Sequence, residues 1–376
     1  MDGNEHVIRA RFADAAFFVR EDSRRPLQEF LPQLQTLTFQ KKLGSMLDKT
    51  RRVGELVADL SPLLGLSSGE IATAQRAAEL CKADLATKMV VEMTSLQGLM
   101  GRHYALVSGE PVEVAQAIFE HYLPRFSGDE PPGKRPGLVV GLADRLDTLA
   151  GLFAAGLAPT GNKDPFAQRR AALGLVQNLM LWDLAFDLRQ ALELAAKRLP
   201  ISASQESQKA CLEFIVERMR HLLLEQGWRY DVVDAVLAEQ GHDPARASWA
   251  VKSLAAWVSR HDWNTILPAY ARCVRITRDQ AERYQVEREK FVERAEGELY
   301  AALLVAESQS GVNGQHASPD IFLNALLPMI PAIDQFFDDV LVMSDDISLQ
   351  HNRLGLLQRI AALATGVADM SRLEGF

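Results

Sequence analysis

The sequence predicts an all-α protein, because apolar residues recur at three- and four-residue spacing along most of its 376 residues. Runs with two-residue alternation between turn residues, which are typical of strands, are scarce. Segments rich in glycine, proline or serine interrupt the helical pattern. Hydrophobic residues make up 48% of the chain and charged residues 24%, which is typical of a soluble globular protein.

The spacing of apolar residues predicts helices in the following order along the chain: residues 34–47, 68–93, 111–122, 137–155, 165–198 and 208–226. Turns are predicted at residues 127–137 and 157–165. The polar, serine-rich stretch 199–208 is the predicted boundary between two domains, residues 1–200 and 208–376. A second polar segment, residues 307–319, separates a long charged helix from the last apolar ones.

Composition limits the classes of protein that fit. A net charge of −8 argues against a general polyanion binder, so any RNA contact must come from local basic patches. The three cysteines, Cys81, Cys211 and Cys273, are far apart and fit neither a zinc cluster nor a disulfide framework, which predicts a reducing cytoplasm. No apolar run is expected to reach membrane-spanning length, and residues 1–11 contain no hydrophobic stretch of the kind expected for export.

Residues 160–174 gather basic side chains around a predicted helix start. Asp164 suits the N-cap and Pro165 the first helical position, so the helix is predicted to begin there. Lys163, Arg169 and Arg170 surround this start, although basic charge there opposes the helix macrodipole. Together with free N–H groups they form a candidate phosphate site. A solvated turn, with arginine stems over apolar neighbours, explains the pattern equally well.

A second basic cluster lies at residues 40–52. Its members are Lys41, Lys42, Lys49, Arg51 and Arg52. The spacing of all except Arg51 brings them near one side of a predicted helix. A solvated face is the usual explanation of such a run, and a surface that follows the phosphates of a nucleic acid is the competing one.

In the second half, Arg272, Arg275 and Arg278 share one broad face of a predicted helix. Planar guanidinium groups suit recognition of single-stranded RNA loops. The alternative is a ridge whose arginines pair with neighbouring acids: Asp279, Glu282 and Glu289. We assign a set of acidic residues to bundle closure and solvent: Asp334, Asp338, Asp339, Asp345 and Asp346. We assign the tryptophans of this half to the core or to contacts between helices, rather than to stacking on bases: Trp228, Trp249, Trp257 and Trp263.

Several segments carry a resemblance to a known family. They include RFADAAFF (11–18), LPQLQTLTFQKKLGSMLDKTRR (31–52), AAELCKADLATKMVVEM (77–93), TGNKDPFAQRRAALG (160–174) and FFDDVLVMSDDISLQHNRLGLLQRI (336–360). Nearly end to end and in the same order, the chain resembles the β subunit of bacterial heterotetrameric glycyl-tRNA synthetases. The resemblance implies that it corresponds to the C-terminal portion of a longer subunit.

The resemblance implies an HD-type helical domain in the first 200 residues. Working HD phosphohydrolases hold a metal through a histidine, a His-Asp pair and a later aspartate. Asp84 and Asp144 match two of these positions, but Ala83 replaces the paired histidine and residues 48–52 contain no histidine. We therefore expect no metal and no catalytic residue, with the two aspartates bridged by nearby bases. The expected bridging base is Lys82, Lys88 or Arg145. An HD-type metal-dependent phosphohydrolase is the alternative function.

For residues 208–376 the resemblance implies a helical-bundle anticodon-binding domain. The chain would position tRNA(Gly) for glycylation by an α catalytic subunit or domain, which uses ATP and glycine, so no cofactor is expected in this chain. The expected contacts with the anticodon arm are Arg272, Arg275 and Arg278, then Arg218 and Arg220. The expected contacts with backbone phosphates are Lys163, Arg169, Arg170, Lys41, Lys42, Lys49 and Arg52. Arg272 and Ile276 match a family motif in which Arg275 replaces an asparagine.

Overall fold

The structure, a computed structural model, describes residues 2–126, 128–310 and 318–376. Within these ranges it is almost entirely helical, and its sheet is a two-stranded antiparallel hairpin of β1 (Thr38–Gln40) and β2 (Gly44–Ser45). The all-α prediction is therefore confirmed. The chain forms two compact units, Met1–Met219 and Arg220–Phe376, called unit 1 and unit 2.

Unit 1 is built around one helix that is buried along nearly its whole length. Its helices are α1 (Asp2–Asp22), α2 (Met46–Leu60), α3 (Ser68–Leu80), α4 (Lys88–Glu92), α5 (Leu99–Val107), α6 (Val112–Glu120), α7 (Arg135–Ala154), α8 (Gln168–Leu181), α9 (Leu188–Arg198) and the first part of α10 (Gln205–Glu225). Short 3-10 helices lie at Leu27–Thr36, Ala83–Ala86 and Thr94–Leu96. Helix α7 is the central one, and α2, α3, α6, α8 and α9 pack around it.

The helices predicted at residues 111–122 and 137–155 are confirmed as α6 and α7, with ends within two residues. The helix predicted at residues 34–47 is wrong. A 3-10 helix ends at Thr36, the hairpin follows, and α2 begins only at Met46. Gly44 has φ +86°, which a helix does not allow, and Ser45 forms a capping box with Asp48 that starts a new helix.

Two predicted helices are each divided in the structure. Residues 68–93 form α3 and α4, and residues 165–198 form α8 and α9. The side chain of Thr87 accepts from the N–H of Val90 and starts α4, while Asp187 caps α9 through the N–H of Arg189. Each cap begins a new helix inside a segment whose apolar spacing continues, so periodicity alone does not reveal the break.

Unit 2 is a bundle in which α13 packs on α17, and α14 packs on α15 and α16. Its helices are the end of α10, α11 (Tyr230–Gln240), α12 (Pro244–Val258), α13 (Trp263–Thr277), α14 (Arg294–Ser310), α15 (Pro319–Leu326), α16 (Ile330–Asp339) and α17 (Ile347–Ala362). Short 3-10 helices lie at Arg288–Lys290, Leu327–Met329 and Met370–Arg372. The units divide inside α10, whereas the predicted domains, residues 1–200 and 208–376, stay a prediction.

One stretch corrects the expectation that no segment reaches membrane-spanning length. Pro319–Asp339, which runs from α15 to α16, is long and apolar enough by composition, with a mean hydropathy of 1.2. Within it, Phe322, Ile333 and Phe336 are fully buried in the core of unit 2. Core helices of soluble proteins have the same length and composition, so the stretch is weak evidence for a membrane span.

Gly141 on α7 provides a test of the packing in unit 1. A Cβ there would lie 2.8 Å from the backbone oxygen of His121, which cannot rotate away. Gly141→Ala should therefore lower the free energy of unfolding by about 1–3 kcal/mol. Gly54 on α2 is the matched control, because its Cβ would meet nothing within 4 Å. Gly54→Ala should raise the free energy of unfolding by about 0.5–1 kcal/mol. Urea unfolding followed by circular dichroism measures both, and equal shifts would contradict the close contact.

Candidate nucleic-acid interface

Two of the predicted basic segments lie side by side in unit 1. The ring of Phe39 on β1 contacts the ring of Phe166 in the loop before α8, with centroids 6.5 Å apart. Nearby, Lys42 Nζ donates to the backbone oxygen of Ala155 at 3.2 Å. The hairpin turn and this loop therefore form one surface, which we call the hairpin–loop surface. Its exposed cations are Lys41, Lys42, Lys163 and Arg170.

The predicted phosphate seat at the start of α8 is wrong. The helix begins at Gln168, and the carboxylate of Asp164 occupies its first N–H groups. Asp164 Oδ1 accepts from Gln168 N at 2.8 Å and Oδ2 accepts from Arg169 N at 2.9 Å. Because the chain's own carboxylate fills this place, Lys163 and Arg170 remain as surface cations rather than as parts of an anion pocket.

Lys49 and Arg52 do not belong to an exposed basic face. They are 3% and 7% exposed, so the expectation that they contact tRNA phosphates is wrong. Lys41 and Lys42 lie in the hairpin turn, not on a helix, while α2 directs Lys49 and Arg52 towards α7. There Asp147 accepts from Lys49 Nζ at 2.9 Å and from Arg52 Nε at 2.6 Å.

Further charged groups meet beside this pair, and together they form the buried charge cluster. Its members are Lys49, Arg52, Lys82, His121, Asp144 and Asp147. Lys82 Nζ donates to Asp144 Oδ2 at 2.9 Å and to His121 Nε2 at 3.0 Å, while Lys49 Nζ lies 3.0 Å from Asp144 Oδ1. An ammonium group only donates, so Nε2 of His121 is the acceptor and Nδ1 carries the proton. Nδ1 donates to the backbone oxygen of Ile118 at 2.5 Å.

The electrostatics of the cluster fix its protonation at neutral pH. Burial alone would raise the pKa of Asp144, but the ammonium groups of Lys49 and Lys82 outweigh it and hold that pKa well below its usual range. Burial and the charge of Lys82 also hold the pKa of His121 well below its usual value. The imidazole is therefore neutral and the carboxylates are paired, which fits a structural role.

Asp84 is held differently from Asp144. Its Oδ2 accepts from the backbone N–H groups of Gly98 at 2.6 Å and Gly101 at 3.1 Å, and it is fully buried. Burial raises the pKa of Asp84 to about 6, although the Gly98 N–H and the charge of Lys82 act against that rise. Asp84 is thus fixed by backbone groups and has no bridging lysine hydrogen bond.

The expected bridge between Asp84 and Asp144 is wrong, because Lys82 pairs with Asp144 while backbone N–H groups hold Asp84. Lys88 Nζ lies on the surface, 3.7 Å from the carboxylate of Glu21. Arg145 is buried, and its guanidinium donates to backbone oxygens, including that of His121 at 2.9 Å. It therefore ties the end of α6 to α7 instead of pairing with a carboxylate.

The residues around Asp144 do not fit a metal ion. In the parts of the chain that the structure describes, no group of three or more His, Cys, Asp or Glu side chains gathers in a metal-binding arrangement. The ammonium groups of Lys49 and Lys82 take the places next to the Asp144 oxygens. Lys49 also lies in the short window where the resemblance placed a histidine. A donor set with two fixed cations disfavours a metal.

In unit 2, the Arg272 side chain contacts two residues of a neighbouring helix in the bundle. Its guanidinium on α13 forms an ion pair with Asp334 on α16 and lies 4.9 Å from the ring centroid of Phe337. The Asp334 side chain is 47% exposed and joins α16 to α13, which agrees with its assignment to bundle closure and solvent. Arg272 therefore holds α13 against α16 and is a weak candidate for direct RNA contact.

Arg275 and Arg278 remain exposed at the C-terminal end of α13. Arg275 lies over the ring of Phe376, 5.5 Å from its centroid. Arg278 follows the last helical residue, is 65% exposed in its side chain, and lies 3.8 Å from the carboxylate of Asp279. An exposed pair at this distance contributes little, so both guanidinium groups are accessible to a ligand.

The second-choice arginines on α10 already have protein partners. Arg220 donates to both carboxylate oxygens of Asp234, at 2.5 and 2.9 Å. Arg218 pairs with Glu217 at 3.0 Å and lies over the ring of Phe214. For either arginine to contact tRNA, its ion pair with the neighbouring carboxylate would have to break.

The tryptophans divide into two groups. Trp257 and Trp263 are buried, which confirms the core assignment, but Trp249 is 58% exposed and that assignment is wrong for it. Both Trp249 and Trp257 lie on α12. Apolar spacing did not separate them, because an exposed aromatic side chain on a helix has the same sequence signature as a buried one.

The two buried aspartates should respond to pH with opposite signs. Asp84 has a raised pKa, so its stabilising contribution is complete below the unfolded value of 3.8 and is lost as pH rises through about 6. Asp84→Asn should therefore gain stability relative to the parent as pH rises from about 4 to about 6.

Asp144 has a lowered pKa, so its contribution is present above 3.8 and is lost as pH falls. Asp144→Asn should lower the free energy of unfolding by about 3–5 kcal/mol at neutral pH, because it leaves the buried ammonium group of Lys82 without its carboxylate partner, and this deficit should shrink in acid. Urea unfolding from below pH 3.8 up to neutral pH measures both effects, and parallel pH profiles would refute the assignment.

Two family models match the chain. Residues 1–238 match "Glycyl-tRNA synthetase beta subunit", and residues 266–368 match "DALR anticodon binding domain". The first match covers all of unit 1 and most of α11, and the second covers most of α13 and all of α14 to α17. Neither description refers to an HD-type domain.

Curated relatives agree with these models. The chain is 42% identical to the glycine–tRNA ligase beta subunit of Moorella thermoacetica and 38% identical to that of Clostridioides difficile, over 99% of this chain and 54% of each relative. It is 37% identical to the chloroplastic/mitochondrial glycine–tRNA ligase 2 of Arabidopsis thaliana, over 100% of this chain and 35% of that protein. The chain spans about half the length of the bacterial relatives. It belongs to the glycyl-tRNA synthetase beta subunit family.

Proposed function

We propose that this chain is the tRNA-binding portion of a glycyl-tRNA synthetase β subunit. It positions tRNA(Gly) for glycylation by an α catalytic subunit or domain, and that partner uses the ATP and glycine. The observation that carries the proposal is the match of residues 266–368 to an anticodon-binding domain, with two exposed arginines at the end of α13 inside that match. The cytoplasm is the compartment where such a protein meets its tRNA.

The anticodon arm would meet Arg275 and Arg278. Both guanidinium groups are exposed, and that of Arg275 lies 5.5 Å from the centroid of the Phe376 ring, which limits its rotamers. A pre-organised planar cation can stack on an unpaired base and donate to its edge at little entropic cost. Arg272 supports this surface from behind through its pair with Asp334.

The hairpin–loop surface of unit 1 would contact backbone phosphates. Lys41, Lys42, Lys163 and Arg170 come from two chain segments that the Phe39–Phe166 contact brings together. Clustered surface cations gain affinity by releasing counterions from the nucleic acid, without reading its sequence. This surface would therefore add affinity, while the anticodon contacts add specificity.

We also infer that the buried charge cluster marks an HD-type domain without its metal. Asp84 and Asp144 occupy the acidic positions of the motif, while Lys49 and Lys82 supply positive charge beside Asp144. Two ammonium groups would thus stabilise the fold where an HD phosphohydrolase has a catalytic ion. The phosphohydrolase alternative finds no support in the family comparisons.

Substitution of the exposed arginines tests the anticodon site. Arg275→Ala and Arg278→Ala should each cost about 1–3 kcal/mol in binding of tRNA(Gly), and should erode discrimination against a tRNA with a changed anticodon. Arg294→Ala is the matched control, since it removes the same charge from an arginine that is 91% exposed elsewhere in unit 2. Anisotropy titrations with both tRNAs measure the effect. If all three variants lose affinity equally, the arginines act only through net charge and the anticodon site lies elsewhere.

Salt dependence tests the hairpin–loop surface. Lys41→Ala and Lys163→Ala should each weaken binding of all tRNAs similarly and reduce the slope of log affinity against log salt by about one unit. Lys197→Ala is the control, because Lys197 is exposed on α9 and pairs with Glu193. The slope is measured by titration at several salt concentrations. An unchanged slope in both test variants would exclude this surface from the tRNA contact.

A further inference from the structure

Unit 2 contains a cleft that the proposed contacts leave unused. It has a volume of about 610 Å³ and lies between α12 and the start of α15. Helix α12 contributes Arg246, Trp249, Lys252 and Ser253, and α15 contributes Asp320. The volume is in the range of small-ligand pockets. Helix α12 also lies between the two stretches that match the family models, so neither description covers it.

The cleft combines an exposed aromatic face with positive charge. Trp249 is 58% exposed, and Lys252 Nζ lies 5.3 Å from its ring centroid. The Arg246 side chain is 52% exposed and reaches Asp243 at 3.5 Å, a long ion pair. Aromatic rings beside flexible cations are the usual means by which proteins bind single-stranded nucleic acid, with the base on the ring and the phosphate near the charge.

Polar groups in the cleft can address the edge of a base. The hydroxyl oxygen of Ser253 is buried and has no hydrogen-bond partner among the described residues. A buried hydroxyl without a partner is costly, and a ligand atom would satisfy it. Asp320 is held in place because its Oδ1 accepts from Trp257 Nε1 at 2.7 Å. The cleft therefore offers a free hydroxyl and a fixed carboxylate near one stacking surface.

We propose that this cleft binds one unstacked nucleotide of the tRNA, with its base on Trp249 and its phosphate near Arg246 and Lys252. The proposal rests on the proposed function and extends it to a second RNA contact in unit 2, separate from Arg275 and Arg278. A nucleotide is favoured over an apolar protein side chain because cations on α12 flank the aromatic ring and a polar group inside the cleft needs a partner.

Variants of Trp249 test this contact. Trp249→Ala should weaken binding of tRNA(Gly) by about 5- to 150-fold, the equivalent of about 1–3 kcal/mol for one stacked base. Trp249→Phe keeps a ring and should stay within about threefold of the parent. Leu341→Ala is the control, because Leu341 is an apolar side chain of unit 2 that is 72% exposed. Lys252→Ala should lower the salt slope by about 0.7 unit, the value for one phosphate of a single strand.

Anisotropy titration of labelled tRNA(Gly) onto the 376-residue chain gives the affinities, and circular dichroism checks folding. A parent chain that binds no tRNA overturns the proposed function and this contact together. A parent that binds while Trp249→Ala binds equally well overturns only this contact. Equal losses in the Ala and Phe variants contradict stacking. If Trp249→Ala leaves tRNA affinity intact but weakens association with the α subunit, the cleft binds a protein side chain and the nucleotide assignment is wrong.

Discussion

Unit 1 depends on the neutralisation of two carboxylates on a helix that is buried on all sides. After Arg135, the polar residues of helix α7 are Asp144, Arg145, Asp147 and Thr148. Burial of unpaired carboxylates would cost several kcal/mol each, so the helices around α7 must supply cations. Lys49 and Arg52 come from α2, and Lys82 comes from the turn after α3. The guanidinium of Arg145 donates hydrogen bonds to backbone oxygens instead. The packing of α2, α3 and α6 around α7 is therefore set by charge as well as by apolar area.

This constraint explains why a basic run in the sequence is divided between two purposes. Residues 41–52 read as one cationic face, yet the hairpin turns Lys41 and Lys42 to solvent while α2 turns Lys49 and Arg52 inwards. The sequence of α7, not that of the basic run itself, indicates which of these basic residues are buried. Asp144 and Asp147 lie about one turn apart in an otherwise apolar helix, so once buried they need cationic partners from neighbouring helices. Basic residues that serve as these partners are not available on the surface to contact RNA.

Sequence patterns predicted the class of fold and the helices with simple ends, such as α6 and α7. They did not predict where a single capping side chain ends one helical stretch and starts the next helix. Ser45 and Thr87 start helices through hydrogen bonds of a few atoms, inside stretches whose apolar spacing continues unchanged. Site residues show the same limit. The exposure of Arg275 and the pairing of Arg272 depend on which helix lies opposite, and this is a tertiary fact absent from local spacing.

In unit 2 an ion pair also orients one helix on another, but it is less buried than the pairs of unit 1 and contributes less free energy. The pair between Arg272 and Asp334 is only partly buried, so it orients α13 on α16 without a large desolvation cost. A helix anchored at that point presents the following arginines, Arg275 and Arg278, on a fixed surface instead of a flexible one. Pre-organisation of this kind matters for RNA binding, since each long cationic side chain that is already ordered loses less entropy on contact. In the proposed tRNA contact, the ion pair that holds Arg272 within the bundle would therefore help to position Arg275 and Arg278 for the RNA.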